Sequence, residues 1–362
     1  MRTRTILCLC AAALCVAAPA RARPVVAVLA QNDGTEITDF LVPYGVIASS
    51  DTADVVAVST HEGPVELVPG PILSGTKILS DTTVAKFNSA HPTGADFVIV
   101  PAFLDSNNPV THEWLRGQAA KGATLVSICD GAIVLAGTGL LDGHRATGHF
   151  ASADQRRKQF PKVEWIANTR FVHDGKFVSS SGVSASLPTA LYLVELLAGR
   201  ERALAVAKAQ GLADYSAGPD SDTFAMGFGD LWLGAKNYLL GWPRDVYGVE
   251  LAPGVDEVGL GFAIDMLSRT FRAQVPVAAP TSEIRTRYGL RVLRGADPIA
   301  LPARAVRVHI GGAMSAHGVR IGEGARAPQD VLAYLSSRYG DELSAFVAMQ
   351  LEYPPATTLP NN

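Results

Sequence analysis

The chain has 362 residues, of which 48% are hydrophobic and 18% charged, and its net charge at pH 7 is −3. This length predicts two domains of ordinary size or one large domain. The 31 Lys and Arg residues do not outnumber the 34 Asp and Glu residues, so the composition argues against the basic surface of a nucleic-acid-binding protein.

The first 22 residues have the pattern of a secretory signal peptide. Arg2 and Arg4 precede an apolar run at residues 6–20 that is too short to span a bilayer. Ala20-Arg21-Ala22 fits the small-x-small pattern of a cleavage site, so the mature chain is predicted to begin at Arg23. We therefore expect a periplasmic or secreted protein without a stable membrane anchor. An uncleaved signal anchor is the alternative.

Cleavage at this position would leave a single cysteine. Cys8, Cys10 and Cys15 lie in the predicted signal, so Cys129 could form no internal disulfide in the mature chain. A free thiol kept in an oxidising compartment points to a chemical role. A buried and inert thiol is the alternative.

Strands and helices alternate through the first half of the chain. Apolar runs that predict buried parallel strands occupy residues 24–30, 54–59, 95–102 and 123–128. Predicted helices occupy residues 36–47, 112–121, 151–160 and 190–207, and a hairpin with an Asp-Gly turn occupies residues 171–178. Gly199 interrupts the last helix. This alternation predicts an α/β sheet with right-handed crossovers.

The fourth strand ends at Cys129, which is followed by Asp130, Gly131 and an apolar helical run. The pattern predicts a strand, a sharp turn and a helix, with Cys129 at the turn beside the unpaired N–H groups of the helix start. The helix dipole and these donors favour a thiolate over a thiol. Cys129 is therefore a candidate nucleophile.

The second half resembles the first in pattern. Residues 213–245 are predicted to be a linker with one aromatic-rich helix, and residues 246–355 a shorter α/β segment with its own helix break at Gly340. This segment would lack the part that contains the cysteine turn, and Leu260 stands where the first half has Asp39. We predict a truncated, degenerate repeat, followed by a tail at residues 356–362. Shared architecture without duplication is the alternative.

The run from Cys129 through Leu140-Leu141-Asp142-Gly143 to His149 strongly resembles the DJ-1/PfpI (ThiJ/PfpI) superfamily, a class I glutamine amidotransferase-like group. Within it, the chain is most similar to isonitrile hydratases and to the amidase-like domain of AraC-type regulators. Asp39-Phe-Leu-Val-Pro43 resembles the family's acidic helix start, and residues 182–191 resemble its last loop and helix. The resemblance defines a DJ-1/PfpI-like domain at residues 23–212.

The resemblance implies an α/β fold of the flavodoxin-like type, a doubly wound parallel sheet with helices on both faces. It implies that Cys129 is the nucleophile and Asp39 the neighbouring acid, which can pass a proton to the bound substrate. A carboxylate that only stabilises the helix start is the alternative for Asp39.

Further site residues follow from the same resemblance. The backbone N–H groups of Ala102, Phe103 and Asp130 are candidate oxyanion donors. His149 matches a histidine that either assists proton transfer or lines a dimer contact. Asp130 stands where proteases of the superfamily carry His and isonitrile hydratases carry Thr or Ser, so a Cys-His protease dyad is not supported.

We expect an exported, cysteine-dependent hydratase (lyase) or amide-type hydrolase that acts on a small uncharged molecule and needs no cofactor or metal. A non-catalytic binding or sensor module of the same fold is the alternative, and redox or carbonyl-protection chemistry is a third class. Because relatives commonly dimerise, either a homodimer or an internal pseudo-dimer is expected, the latter with the second half packed on the first.

Overall fold

The computed structural model describes residues 23–69, 76–217, 224, 227–241, 243–312 and 318–353. The predicted signal peptide and the predicted tail lie outside the described residues. No helix among the described residues is long and apolar enough to cross a membrane.

The first half alternates strands and helices. Its elements are β1 (Val25–Ala30), β2 (Thr35–Glu36), α1 (Ile37–Ser49), β3 (Asp54–Ser59), β4 (Pro64–Val68), β5 (Thr76–Leu79), β6 (Thr82–Thr83), α2 (Val84–Ala90), β7 (Phe97–Val100), α3 (Pro109–Ala120), β8 (Thr124–Ser127), α4 (Gly131–Gly137), β9 (Arg145–Ala146), α5 (Ala153–Gln159), β10 (Glu164–Trp165), β11 (Phe171–Asp174), β12 (Phe177–Ser180), α6 (Ser186–Ala198) and α7 (Arg200–Ala209).

Seven strands form the main sheet in the order β11-β12-β8-β7-β1-β3-β6, and only the pairing of β11 with β12 is antiparallel. Alternate residues of β1 belong to two separate cores, Val26 and Val28 to one and Ala27 and Leu29 to the other. Helices therefore cover both faces, and the flavodoxin-like α/β fold is confirmed.

The centre of this sheet is its topological switch point. The chain leaves β1 toward β3 and later returns to the other side of β1 as β7, with β8 beyond it. The carboxyl ends of β1, β7 and β8 consequently lie next to each other. Open α/β sheets bind their ligands at such a crevice.

An additional α/β region makes up the second half. Its elements are α8 (Phe228–Leu240), β13 (Asp245–Glu250), α9 (Glu257–Ser268), β14 (Ala273–Gln274), β15 (Val277–Ala278), β16 (Glu283–Arg285), β17 (Arg291–Leu293), β18 (Val306–Ile310), β19 (Gly318–Ile321), α10 (Arg326–Tyr339) and α11 (Asp341–Gln350). The pairs of β13 with β14, β15 and β18, and of β18 with β19, are all parallel.

The two halves pack together through a helix pair and a strand pair. Helix α1 lies between α6 of its own half and α9 of the second half. All residues from Ile37 to Ile47 are buried, as expected for a helix that is covered on all sides. Gly45 permits the close approach, because a Cβ there would lie 3.0 Å from Cβ of Glu257. Strand β5 also pairs antiparallel with β17, so one sheet contains strands of both halves.

The helix caps correct one detail of the sequence comparison. Glu36 caps α1 and accepts a hydrogen bond from the Asp39 N–H, while Asp256 caps α9 and accepts one from the Gly259 N–H. Matching these caps places Gly259, not Leu260, opposite Asp39. The sequence comparison was one residue out of register because only hydrophobic pattern guided it. In either register the second half has no carboxyl group at this position.

Candidate functional site

The strand, turn and helix predicted around Cys129 are present. Strand β8 ends at Ser127, α4 begins at Gly131, and Cys129 has a φ of 56°, in the left-handed region that a non-glycine residue adopts only under strain. The turn is tight, because a Cβ on Gly131 would lie 2.0 Å from the carbonyl oxygen of Val100. The Cys129 N–H donates to Oγ of Ser180 at 3.4 Å.

Asp39 lies in the first turn of α1, which follows β1 and β2, and it is fully buried. Its Oδ2 accepts a hydrogen bond of 3.1 Å from the Ala102 N–H, and its Oδ1 is one of the buried oxygens for which the described residues provide no hydrogen-bond partner. Burial raises the pKa of the Asp39 carboxyl to about 7; the Ala102 N–H acts in the opposite direction. At neutral pH this group can therefore both accept and donate a proton.

The expectation of a thiolate at Cys129 is wrong for this structure. Burial raises the pKa of the Cys129 thiol well above its ordinary value, and the charges of Asp39 and Asp130 act in the same direction. The residue is only 6% exposed, and α4 has only seven residues, so its N-terminal dipole does not compensate. The sulfur thus holds its proton until a base removes it.

Asp130 contacts a buried arginine. Its Oδ1 accepts a hydrogen bond from Oγ of Ser152 and lies 3.7 Å from Nη1 of Arg156. Arg156 also donates to the carbonyl oxygens of Gly148 and His149, and its guanidinium lies over the ring of Trp165. The charge of Asp130 is therefore balanced beside the cysteine. Sequence reasoning missed Arg156, which stands in a run of charged residues that is typical of an exposed helix.

The three candidate oxyanion donors differ in their surroundings. The Ala102 N–H is bonded to Asp39, so it reaches a substrate only if the carboxyl releases it. Phe103 forms an isolated antiparallel bridge with Thr35. The two hydrogen bonds of this bridge run from the Glu36 N–H to the Ala102 carbonyl oxygen and from the Leu104 N–H to the Gly34 carbonyl oxygen. The Asp130 N–H lies at the start of α4, among the donors that a helix leaves unpaired.

His149 contacts the second half of the chain. Its Nε2 lies 3.0 Å from the carbonyl oxygen of Gln350, and its Nδ1 accepts a hydrogen bond from the Ala151 N–H at 3.2 Å. Because Nδ1 accepts a hydrogen bond, Nε2 carries the proton and donates a hydrogen bond to the carbonyl oxygen of Gln350. Both ring nitrogens are thus engaged by backbone groups. This placement favours the contact role that was considered for His149.

The second half contributes polar groups near the site that sequence reasoning did not anticipate. Arg269 forms ion pairs with Glu36 at 3.1 Å and with Asp265 at 2.8 Å. At the other end, Oε1 of Glu352 accepts a hydrogen bond from the Phe150 N–H, and the Ser184 N–H donates to the carbonyl oxygen of Leu351. No local signal marks these residues, because only tertiary packing brings them to the first half.

Within the described residues, no group of three or more His, Cys, Asp or Glu side chains could hold a metal ion. What the arrangement offers is a thiol on a strained turn, a buried carboxyl that titrates near neutrality, and N–H donors at a helix start. These are the components of nucleophilic catalysis assisted by a general acid–base.

Comparisons with known proteins identify sequences and structures that are similar to this chain. The model of the DJ-1/PfpI family matches residues 24–196. Isonitrile hydratase of Pseudomonas putida is 32% identical over 186 residues, which cover 51% of this chain and 76% of that protein. The HTH-type transcriptional regulator CdhR of Pseudomonas aeruginosa is 32% identical over 143 residues, which cover 38% of this chain and 41% of that protein.

Among solved structures, DJ-1beta of Drosophila melanogaster is similar with a TM-score of 0.46 and 23% identity, over 53% of this chain and 99% of that chain. The residues that the family model matches include both Cys129 and Asp39. Since the relationship to isonitrile hydratase extends over three quarters of that protein, the chain belongs to the DJ-1/PfpI family.

Proposed function

We propose that this protein is a cysteine-dependent hydratase or amide-type hydrolase that acts on a small uncharged molecule, with Cys129 as nucleophile and Asp39 as proton carrier. One observation carries the proposal. A cysteine on a strained turn is under the electrostatic influence of a buried carboxyl, Asp39, whose Oδ1 has no partner among the described residues and whose pKa burial raises to about 7.

The hydrogen bonds of Asp39 assign its two oxygens different tasks. Oδ2 accepts from the Ala102 N–H, so Oδ1 is the oxygen that can carry the proton. In the first step, ionised Asp39 takes the thiol proton while sulfur forms a bond to the electrophilic carbon of the substrate. The carboxyl then delivers this proton to the substrate nitrogen; in an amide the C–N bond breaks at this point and the protonated amine leaves. Water next attacks the same carbon, the C–S bond breaks, and sulfur recovers a proton from the attacking water.

The charges near the sulfur favour an uncharged substrate. Burial raises the pKa of the Cys129 thiol most, the charges of Asp39, Asp130 and Glu36 raise it further, and Arg269 lowers it, so the site disfavours a negative charge on the sulfur. An anionic substrate would meet the same repulsion as a thiolate does. The similarity to isonitrile hydratase supports a small neutral substrate with a carbon–nitrogen bond, whereas Asp130 counts against an isonitrile itself.

The test is turnover of a panel of isonitriles, nitriles and primary amides by the full chain. We expect Cys129→Ala to abolish product formation and Asp39→Asn to lower kcat by about 10²–10⁴-fold. Asp142→Asn is the matched control, because this acid pairs with Lys162 at the surface. Unchanged turnover in Cys129→Ala would refute the proposed chemistry.

A non-catalytic sensor module is the second candidate. It is favoured by the thiol pKa, which lies well above its ordinary value, and by the engagement of the Ala102 N–H by Asp39. A thermal-shift screen of the same compounds, combined with product detection, separates the two functions. Compounds that raise Tm without being converted would support the module.

We also propose that the protein is exported and that residues 246–355 are a truncated copy of the 23–212 domain, separated from it by the linker at 213–245. The signal-like pattern of residues 1–22 supports export. Equivalent helix breaks support the duplication, because Gly199 and Gly340 have φ values of 85° and 93° between corresponding helices. N-terminal sequencing of protein recovered from the periplasm or medium tests the cleavage before Arg23.

A further inference from the structure

One buried arginine of the second half is connected to the acid of the first. Arg269 follows α9 and is 6% exposed. Its Nη2 donates to Oε1 of Glu36 at 3.1 Å, and the other carboxylate oxygen of Glu36 accepts from the Asp39 N–H at 2.6 Å. Glu36 thus links a cation of one half to the helix turn that presents Asp39.

The surrounding hydrogen bonds hold this arginine in place. Its Nε donates to Oδ1 of Asp265 at 2.8 Å, and the second oxygen of Asp265 accepts from Oγ1 of Thr38 at 3.2 Å. The side chain of Gln350 donates to the Arg269 carbonyl oxygen at 3.1 Å. Two carboxylates, those of Glu36 and Asp265, therefore hold the guanidinium, and Gln350 of α11 holds the backbone of the same residue.

Such a cluster is a poor source of stability. Removing charges from water is costly, and an apolar replacement of a buried ion pair is often neutral or stabilising. The second half has Gly259 opposite Asp39, so the cluster does not serve an acid of its own. Its polar contacts in the first half go to the first turn of α1.

We infer that Arg269 is a positioning residue for the Cys129 site, acting through Glu36, so that the second half of the chain completes the site of the first. The inference rests on the proposed function, because it assumes that Cys129 is the reacting group. It assigns a role to a region that has neither the cysteine turn nor the acid.

The charges near Cys129 determine whether Glu36→Gln raises or lowers the pKa of the Cys129 thiol. Asp39 and Glu36 at the start of α1 and Asp130 at the start of α4 raise the pKa of the thiol, and Arg269 lowers it. Arg156 on α5 is also near, since the charge of Cys129 affects its pKa. Burial raises the pKa of Glu36 itself and Arg269 lowers it, so the comparison belongs at a pH at which Glu36 is ionised. There Glu36→Gln removes one negative charge and leaves Arg269 less compensated, and both consequences favour the thiolate.

The experiment measures the rate of iodoacetamide labelling of the Cys129 peptide by mass spectrometry, at several pH values and in the full chain. Glu36→Gln should label at least about threefold faster than wild type at the same pH, which corresponds to half a pKa unit. Arg269→Met should change the rate at least about threefold, and the size of this change should differ at least about twofold when Glu36→Gln is already present, because the two side chains form an ion pair. Arg287→Met is the control, because this arginine of the second half pairs with Asp256 and Glu323.

Any one of three outcomes would overturn the inference. The labelling rate could be unchanged in Glu36→Gln, or the rate of Arg269→Met could match that of the control, Arg287→Met. The third outcome is an Arg269→Met effect of the same size with and without Glu36→Gln. If Arg269→Met does not fold, Arg269→Lys replaces it in the same cycle, since an ammonium group cannot reproduce the forked contact with Asp265 and Glu36. Labelling does not require turnover. If Arg269→Met and Glu36→Gln are coupled in the labelling rate but no tested compound is converted, only the proposed function is contradicted. If a compound is converted but the two variants are not coupled, only the inference is contradicted.

Discussion

At the scale of single residues, Asp39 determines how the site responds to pH. Its pKa is about 7 in the fold, against 3.8 in its ordinary state, because the charged form is buried. The folded protein therefore binds a proton that the unfolded chain has released between these values. The stability that the neutral carboxyl provides is complete below about pH 4 and is lost as the pH rises through 7.

This linkage predicts the behaviour of Asp39→Asn. The wild-type free energy of unfolding should fall between pH 5 and pH 8, and the variant should show a decline smaller by roughly 2–4 kcal/mol. Urea unfolding at both pH values measures the difference. Asp142→Asn should retain the wild-type slope, and an Asp39→Asn slope equal to that of wild type would contradict the prediction.

The cysteine turn depends on the absence of a side chain at residue 131. In Gly131→Ala, a Cβ would lie 2.0 Å from the Val100 carbonyl oxygen, so β7 and the turn have to separate. We expect a loss of about 3 kcal/mol or more, or failure to fold. Gly117→Ala in α3 is the control, since nothing lies within 4 Å of its added Cβ, and it should be neutral or stabilising. Equal thermal stability of the two variants would contradict the prediction.

The site could be predicted only where the sequence signal is local. Cys129, at the end of an apolar strand and before Asp-Gly, has such a signal. Asp39 was assigned through the resemblance of its helix start to that of the family. Arg156 and Arg269 have no such signal, because their significance comes from burial against distant segments. The ionisation of Cys129 was misjudged for the same reason, since burial and neighbouring carboxyls outweigh the dipole of a short helix.

At the scale of elements, α1 connects the core of the first half to the second. Its apolar residues cover all sides of the helix, and its sequence predicted a helix but not which partners would cover it. Pro43 lies in the helix interior, where it has no N–H to donate the usual intrahelical hydrogen bond to the Asp39 carbonyl. The structure places α6 and α9 against this helix, which explains why it has no polar face.

The close packing of α1 on α9 predicts a sensitive position. In Gly45→Leu, the new Cβ would lie 3.0 Å from Cβ of Glu257 and 3.3 Å from a methyl of Val258, and the rest of the side chain has to push the helices apart. We expect a loss of about 2–4 kcal/mol in chemical unfolding. Gly229→Leu in α8, which has nothing within 4 Å, should change stability by less than about 1 kcal/mol. A Gly45→Leu variant as stable as this control would show that the helices can separate freely.

At the scale of the whole molecule, two α/β regions share a core. One hydrophobic cluster includes Ile37 and Leu41 of α1 together with Leu260 and Ile264 of α9. Recurring strand and helix patterns predicted both regions, and the family resemblance predicted that one packs on the other, because relatives commonly dimerise. The sequence could not predict that β5 and β17 would join a common sheet, since the residues of short strands do not specify their partner.

The shared core predicts the behaviour of an isolated first half. A chain of residues 23–212 would expose the α9-facing side of α1 and the β5 edge that β17 covers. We expect it to aggregate or self-associate, because large exposed apolar surfaces do so. Size-exclusion chromatography with light scattering provides the measurement. A stable, monodisperse monomer would contradict the prediction.

The pairing of β5 with β17 joins two halves of one polypeptide, so their association does not depend on protein concentration. Two separate subunits would come apart as their concentration falls, and each site would lose what its neighbour supplies. Here the neighbour is on the same polypeptide, so its local concentration does not change with dilution. Each molecule contains one second half, and mutations can alter that half without altering the half that contains Cys129.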